Sequence, residues 1–264
     1  MTDRSATGLQ PGSTGRLLLI PAPLDFGCRE QPPLQDQMPQ ATLQAASRIG
    51  HWICENAKSL RAYLARVNAV CPLSTPVQVL QITELPRQVH KKGDHQTRFD
   101  ASPLLAAALD GHDMALVSEA GMPAIADPGA SVVRAAHTLG LEVLALVGPV
   151  SLMLALASSG LNGQSFAFVG YLPSDPTGRA QRLRELESWA RKSGQTQLFI
   201  ETPYRNAAMV QTLLGTLSPG TRLSVSSGLT TPQSRTASAT IAHWRAQRLQ
   251  GPDNETPAVF GIGP

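Results

Sequence analysis

The sequence predicts an α/β protein of two halves, each built from strands that alternate with helices. Three observations carry this. Short, wholly apolar runs recur along the chain, amphipathic stretches separate them, and Gly- or Pro-containing loops follow them. At 264 residues there is room for one large domain or two small ones, at about 100–200 residues each.

Residues 1 to about 15 are polar, rich in Gly, Ser and Thr and without periodicity, so a disordered tail is expected over 1–15 and the fold is expected to begin at Arg16. Leu17–Ile20 reads as a buried parallel strand that Pro21 and Pro23 stop. Helix is expected over Gln40–Arg48, strand over His51–Cys54, helix over Ser59–Val67 and strand over Val77–Leu80. The alternation then becomes regular: helix Leu104–Leu109, strand Met114–Val117, loop Ser118–Pro128, helix Gly129–Leu139, strand Leu141–Val147. After the Gly148-Pro149 turn come helix Leu152–Ser159 and strand Ser165–Val169. Helix Gly178–Ser193, strand Gln197–Ile200 and helix Asn206–Leu214 follow. Strand Arg222–Ser226, helix Ile241–Leu249 and strand Ala258–Ile262 complete the chain. Strands spaced by amphipathic helices argue for βαβ units and an open parallel sheet. The halves divide near Gly148, into 16–149 and 150–264.

Composition narrows the function classes. Basic residues number 22 against 19 acidic, a net charge of +3 with a pI of about 9.0, far from the one-signed field of a polybasic nucleic-acid binder. Cys28, Cys54 and Cys71 show no CxxC or other zinc spacing, so neither a disulfide framework nor a metal site is expected. No run approaches the roughly 18 apolar residues of a membrane span, and Met1–Gly8 lacks the pattern of a signal peptide. A soluble, cytoplasmic protein with no membrane contact is the expectation.

In open α/β sheets ligands bind beyond the carboxyl ends of the strands, which directs attention to Ser118–Gly129. This loop packs two Gly, two Pro, a Glu and an Asp into twelve residues. Gly121 and Gly129 permit positive φ and close backbone approach, Pro123 and Pro128 stiffen the loop, and Asp127 is placed to cap the following helix. Neither GxGxxG nor GxxxxGK[ST] occurs, which argues against an ordinary nucleotide enzyme.

Val117–Gly129, then Val147-Gly-Pro149, then Phe168–Pro173, then Phe199–Arg205 resemble, in order and spacing, the motif series of the tetrapyrrole-methylase superfamily. Within it the sequence most resembles the ribosomal RNA small subunit (cytidine-2′-O)-methyltransferases. The resemblance implies two α/β domains of the class III methyltransferase fold, with S-adenosylmethionine in a cleft between them, and a homodimer. Carried over by residue, it implies cofactor contacts at Pro21, Glu119, Ala120, Gly121 and Pro123, at Gly148, Pro149, Val150 and Ser151, at Gly170, Tyr171 and Leu172, and at Pro203 and Ala258. It implies ribosomal RNA or the ribosomal subunit as partner. Departures fall on the substrate side: Ile20–Asp25 replaces Thr-Pro-Ile-Gly-Asn-Leu, Glu55–Lys58 replaces Glu-Asp-Thr-Arg, and Ser227–Thr231 replaces Arg-Glu-Leu-Thr-Lys, with three charged groups lost. The pattern is that of a divergent paralogue.

Methyl transfer to oxygen requires alignment and a base for the hydroxyl proton. Glu55, Glu119, Asp127 and Glu201 are the candidates, with Glu55 and Glu201 as the catalytic pair implied by the family motifs. For Glu201 the structural alternative is an ion pair with Arg205. Arg87, His90, Lys91, Lys92, His95 and Arg98 form a basic stretch that reads as a solvated loop or an RNA-facing surface. Arginines of 179–191 share a helix with Glu185 and Glu187, where pairing at i,i+3 and i,i+4 is expected. Three functions fit: an RNA ribose methyltransferase, a methyltransferase on a tetrapyrrole or other small molecule, and a cofactor-binding regulatory protein without catalysis.

Overall fold

The structure, a computed structural model, describes residues 14–25, 27–28, 30–89, the backbone of 90, and residues 94, 99–249 and 251–264. The chain forms two compact units. One comprises the described residues up to Pro23 with Pro33–Pro149, and the other Leu24–Pro32 with Val150–Pro264. Residues 24–32, assigned to the first half by sequence, thus group with the second unit. Of the tail expected over 1–15, residues 1–13 lie outside the described residues, and the Gly15 N–H donates to the Ala108 carbonyl at 2.8 Å.

The first unit runs β1 (Leu17–Leu19), α1 (Gln40–Ala46), β2 (His51–Cys54), α2 (Ala57–Val70), β3 (Gln81–Glu84), α3 (Arg87–His90), α4 (Ala106–Leu109), β4 (Met114–Val117), α5 (Ala130–Thr138) and β5 (Val143–Ala145). Its sheet has the order β3-β2-β4-β1-β5, and every pairing is parallel. A parallel sheet must be covered on both faces. Met114 and Leu116 of β4 pack with Val132 and Ala136 of α5, whereas Ala115 and Val117 face Leu64 and Val67 of α2 and Leu43 of α1. Each fully buried leucine here contributes about 1.5–3 kcal/mol.

Residues 77–80, expected as strand, instead make a 3-10 turn over Val77–Val79, and the strand follows at Gln81–Glu84. Val77 and Leu80 lean on the core, so their apolar character marks packing rather than sheet pairing. β3 is an exposed edge strand, whose polar side chains carry little hydrophobic signal.

α5 has Gly129 at its N-cap and no side-chain bond from the cap residue. Asp127 therefore does not cap this helix. Its open N–H groups are met by Asp94, from 35 to 37 residues earlier: Oδ2 accepts from Gly129 N and Ser131 N at 2.8 Å and from Ser131 Oγ at 2.6 Å, and Oδ1 from Ala130 N at 3.2 Å.

The second unit runs α6 (Ser151–Ser159), β6 (Phe166–Tyr171), α7 (Pro176–Ser193), β7 (Thr196–Glu201), α8 (Asn206–Thr216), β8 (Arg222–Ser227), β9 (Arg235–Thr240), α9 (Ile241–Gln247) and β10 (Ala258–Gly263). The expected parallel sheet does not extend here. The order is β6-β7-β10-β8-β9, with β6 and β7 parallel and the remaining pairs antiparallel. The last strand inserts between β7 and β8, and stacked Phe199 and Phe260 rings, 5.5 Å apart, hold that register. β9, Arg235–Thr240, is a small-residue edge strand without an apolar run. Trp244 of α9 is buried and donates from its indole to the Leu223 carbonyl at 3.0 Å.

Burial pushes the Asp94 carboxyl upward, but the Ser131 hydroxyl, the Ser131 N–H and the Gly129 N–H outweigh it and hold the group below the ordinary carboxylate range. Asp94→Ala should lower stability by about 2–3 kcal/mol, read as a shift of the urea midpoint. Because the folded value is depressed, the contribution is full above the unfolded value of about 3.9 and is lost as pH falls through the folded one. The difference between wild type and variant should therefore shrink in acid.

Candidate functional site

The site begins with strand register. β2 lies parallel to β4 with Cys54 opposite Val117, and β1 flanks β4 on its other side with Leu19 opposite Leu116. Three chain segments therefore leave the sheet at one edge: Glu55 after β2, Ser118-Glu119 after β4, and Ile20–Ala22 after β1. Ala22 and Gly121 form an isolated antiparallel bridge, each N–H donating to the other's carbonyl at 2.9 Å. Gly121 has φ of +72°, a conformation open to glycine and costly for other residues. The Ser118 hydroxyl donates to the Ala120 and Gly121 carbonyls at 3.1 and 3.3 Å. Further along, Ala124 and Ala126 hold φ of 65° and 66°, about 1–2 kcal/mol of strain each.

These restraints gather three carboxyl groups. Glu55 is pushed up to about 8, first by burial, then by the charges of Asp127 and Glu119, against a hydrogen bond from the Glu119 N–H. Asp127 is pushed up to about 6 by burial and by Glu119, with a Ser118 hydrogen bond opposing. Glu119 accepts from the Ser59 hydroxyl at 2.6 Å. Ser59 is in turn held at the start of α2, where Asn56 accepts from the N–H groups of Lys58 and Ser59. Glu55 Oε1 is buried without a hydrogen-bond partner among the described residues. A half-buried carboxyl with a raised pKa and an unmet oxygen can take up a proton near neutral pH. Ser59 was not singled out by sequence, although a helix-start serine one turn past a strand end is a readable signal.

Still in the first unit, Gly148 packs on Pro21: a Cβ at Gly148 would lie 2.5 Å from Pro21 Cβ. The Thr42 hydroxyl holds the adjoining Val147 carbonyl at 2.7 Å. Pro149 ends this unit.

In the second unit the remaining positions gather at one sheet edge. Val150 precedes α6 and Ser151 opens it. Gly170, with φ of +74°, sits in an irregularity of the β6–β7 pairing between Phe168 and Tyr171; Tyr171 is exposed and Leu172 buried. Ala258 pairs with Glu201 on one side and with Ser227 on the other. Pro203 opens a 3-10 turn through Arg205. The Glu201 side chain is fully buried, and its Oε1 accepts from Thr202 N at 2.7 Å and from Arg205 Nη2 at 2.8 Å and Nε at 3.0 Å. Its other oxygen is buried and unpartnered among the described residues.

Residues 40–244 match the family model described as Tetrapyrrole (Corrin/Porphyrin) Methylases. The chain belongs to that family. Ribosomal RNA small subunit methyltransferase I of Vibrio cholerae is 37% identical over 124 residues, 47% of this chain and 42% of that protein. The protein of the same name from Micromonospora olivasterospora is 33% identical over 156 residues, 58% of this chain and 49% of that one. The matched stretch thus spans half or less of these relatives' own length. The crystal structure of the methyltransferase CobJ superposes with a TM-score of 0.53 at 17% identity, over 95% of this chain and 94% of that one. Uroporphyrin-III-C-methyltransferase from Thermus thermophilus gives 0.51 at 15%, over 94% of each. At such identities the likeness is one of fold.

In this tetrapyrrole methylase, Lys91, Lys92, His95, Arg98 and the His90 side chain lie outside the described residues, so the basic stretch is represented by Arg87 in α3. Arg182 pairs with Glu185 at 3.1 Å, the i,i+3 contact expected of α7. Among the described residues no group of His, Cys, Asp and Glu is placed to hold a metal ion, and no helix is long and apolar enough to cross a membrane.

Gly121→Val should lower stability by about 2 kcal/mol through its positive φ and branched Cβ. Gly50→Ala, where a Cβ meets open space, should change it by less than about 0.5 kcal/mol. Denaturant melts of the two variants check this.

Proposed function

We propose that the chain is an S-adenosylmethionine-dependent methyltransferase acting on RNA, at a ribose 2′-hydroxyl of ribosomal RNA. The observation that carries the reading is Glu55, half-buried with an unmet oxygen at the carboxyl edge of a parallel sheet. The family and the names of the curated relatives support the reaction class. The residues fit the donor: the carboxyls of Glu55 and Asp127, each pushed up by burial and by neighbouring acidic charge, favour a cation beside them, and Gly148 on Pro21 with the Gly121 bridge leaves backbone where side chains would intrude. S-adenosylmethionine supplies an electrophilic methyl group on a positively charged sulfur.

Contacts to it are assigned to Pro21, Glu119, Ala120, Gly121, Pro123, Gly148 and Pro149 in the first unit. Val150, Ser151, Gly170, Tyr171, Leu172, Pro203 and Ala258 supply those of the second. Glu55 takes the proton from the substrate hydroxyl as the oxygen forms its new bond to carbon. Glu201 acts by holding Arg205, and through it the turn that presents Tyr204, which is 69% exposed. We place the protein in the cytoplasm as a homodimer, so light scattering should give about twice 28.0 kDa; the single mass would contradict it. The small-molecule alternative draws on the uncharged run Ser227–Thr231.

Calorimetry tests the reading. Both S-adenosylmethionine and S-adenosylhomocysteine should bind. The cationic ligand should release more protons near pH 7.5 than the neutral one, because a positive charge lowers the raised Glu55 pKa; Glu55→Gln should abolish that difference. Binding of neither ligand overturns the proposal. In turnover, kcat/KM should rise about tenfold per pH unit below about 8 and level off above, as the free enzyme's base loses its proton. Glu55→Gln should lower it about 10²–10⁴-fold and flatten that limb.

A further inference from the structure

A second feature of the C-terminal unit is independent of the carboxyl cluster. β8 and β9 pair with Ser227 directly opposite Arg235, and residues 251–256 rise beside this end of the ribbon. Between them is a cavity of about 290 Å³, near the lower limit of small-molecule pockets at about 300 Å³. Its lining includes apolar Val225 and Ala237 together with Ser227, Arg235 and Thr256. Asp253 shapes the rim: its Oδ1 accepts from the N–H groups of Glu255 and Thr256 at 2.9 and 2.6 Å. Gln233, also in the lining, donates to Glu30 at 2.8 Å.

Arg235 is exposed, and its side chain makes no hydrogen bond or ion pair among the described residues. A planar guanidinium presents paired donors that match a phosphate. The Ser227 and Thr256 hydroxyls supply donor and acceptor positions suited to a sugar, and the carboxylates of Asp253 and Glu30 disfavour a bare multivalent anion. The volume admits one sugar and its phosphate.

We propose that this cavity binds a ribose-phosphate unit of the polynucleotide substrate, with Arg235 on the phosphate and Ser227 and Thr256 on the sugar. The assignment rests on the RNA reading above and adds to it the residue that grips the strand outside the reacting centre. Arg235 is a positioning residue, so its loss acts on RNA affinity.

The test uses the full chain with a single-stranded RNA oligonucleotide and with ribose 5-phosphate. Arg235→Ala should weaken RNA binding about tenfold at low salt and reduce the slope of log affinity against log salt by about 0.7, one phosphate contact on a single strand. Arg235→Lys should restore the slope and only part of the affinity, since it keeps the charge and loses the paired donors. Ribose 5-phosphate should shift the Arg235 Nε–H resonance in wild type. Thermal melts of both variants should match wild type, because the side chain is exposed on an edge strand. If Arg235→Ala leaves RNA affinity and salt slope unchanged and ribose 5-phosphate leaves the resonance unmoved, the cavity assignment falls while the methyltransferase reading stands. If wild type binds no RNA, the RNA reading falls and this assignment falls with it, even where ribose 5-phosphate moves the resonance.

Discussion

The parallel register that sets Cys54 opposite Val117 is the constraint on which the candidate site depends. Both residues are buried, and both strands are only four residues long. A slip of one residue would turn the two faces of β4 inside out, exposing Leu116 to the helices meant for Ala115. Core packing on both faces forbids this, so the residues after the strands must emerge side by side. That is why Glu55 and Glu119 share one region although 64 positions of sequence separate them, and why the Glu119 N–H meets the Glu55 carboxyl.

Holding acidic groups together is unfavourable unless something rigid prevents relaxation. Here the rigidity comes from outside the cluster. The Ala22–Gly121 bridge ties the loop to the strand next door, and Asp94 ties the start of α5 to a distant segment. Between these anchors Ala124 and Ala126 remain at positive φ, as expected where surrounding structure over-determines a functional loop. Glu201 presents the contrast. It is more deeply buried than Glu55, yet Arg205 and the Thr202 N–H satisfy one of its oxygens, which makes it a brace rather than a proton acceptor in our reading.

How much of this the sequence disclosed follows from where each signal resides. Leu17–Leu19, Met114–Val117 and the apolar parts of β7 and β10 are legible because central strands must be apolar on both faces. The edge strands Gln81–Glu84 and Arg235–Thr240 are not, because an edge tolerates polar and small residues. Nor does local sequence say that β10 enters antiparallel between β7 and β8, since strand order is decided by packing of Phe260 on Phe199 and of Trp244 beneath. Glu55 was visible because it matches an acid of the family motif and lies in a strand-to-helix loop. Asp94 was not, because its partners lie 35 to 37 residues onward, and the local rule that an Asp before Pro caps a helix pointed to Asp127 instead. The Glu201–Arg205 pair was legible because the two opposite charges lie close together in the short turn after an apolar strand.

In our proposal this tetrapyrrole methylase transfers a methyl group to a ribose oxygen of RNA. The most direct measurement is incubation with methyl-tritiated S-adenosylmethionine and small ribosomal subunits lacking the modification, followed by nuclease digestion and separation of nucleosides. Label is expected in RNA, recovered in a 2′-O-methylated nucleoside, and none when heat-denatured protein is used. Label confined to small molecules, or to a base-methylated nucleoside, would contradict it.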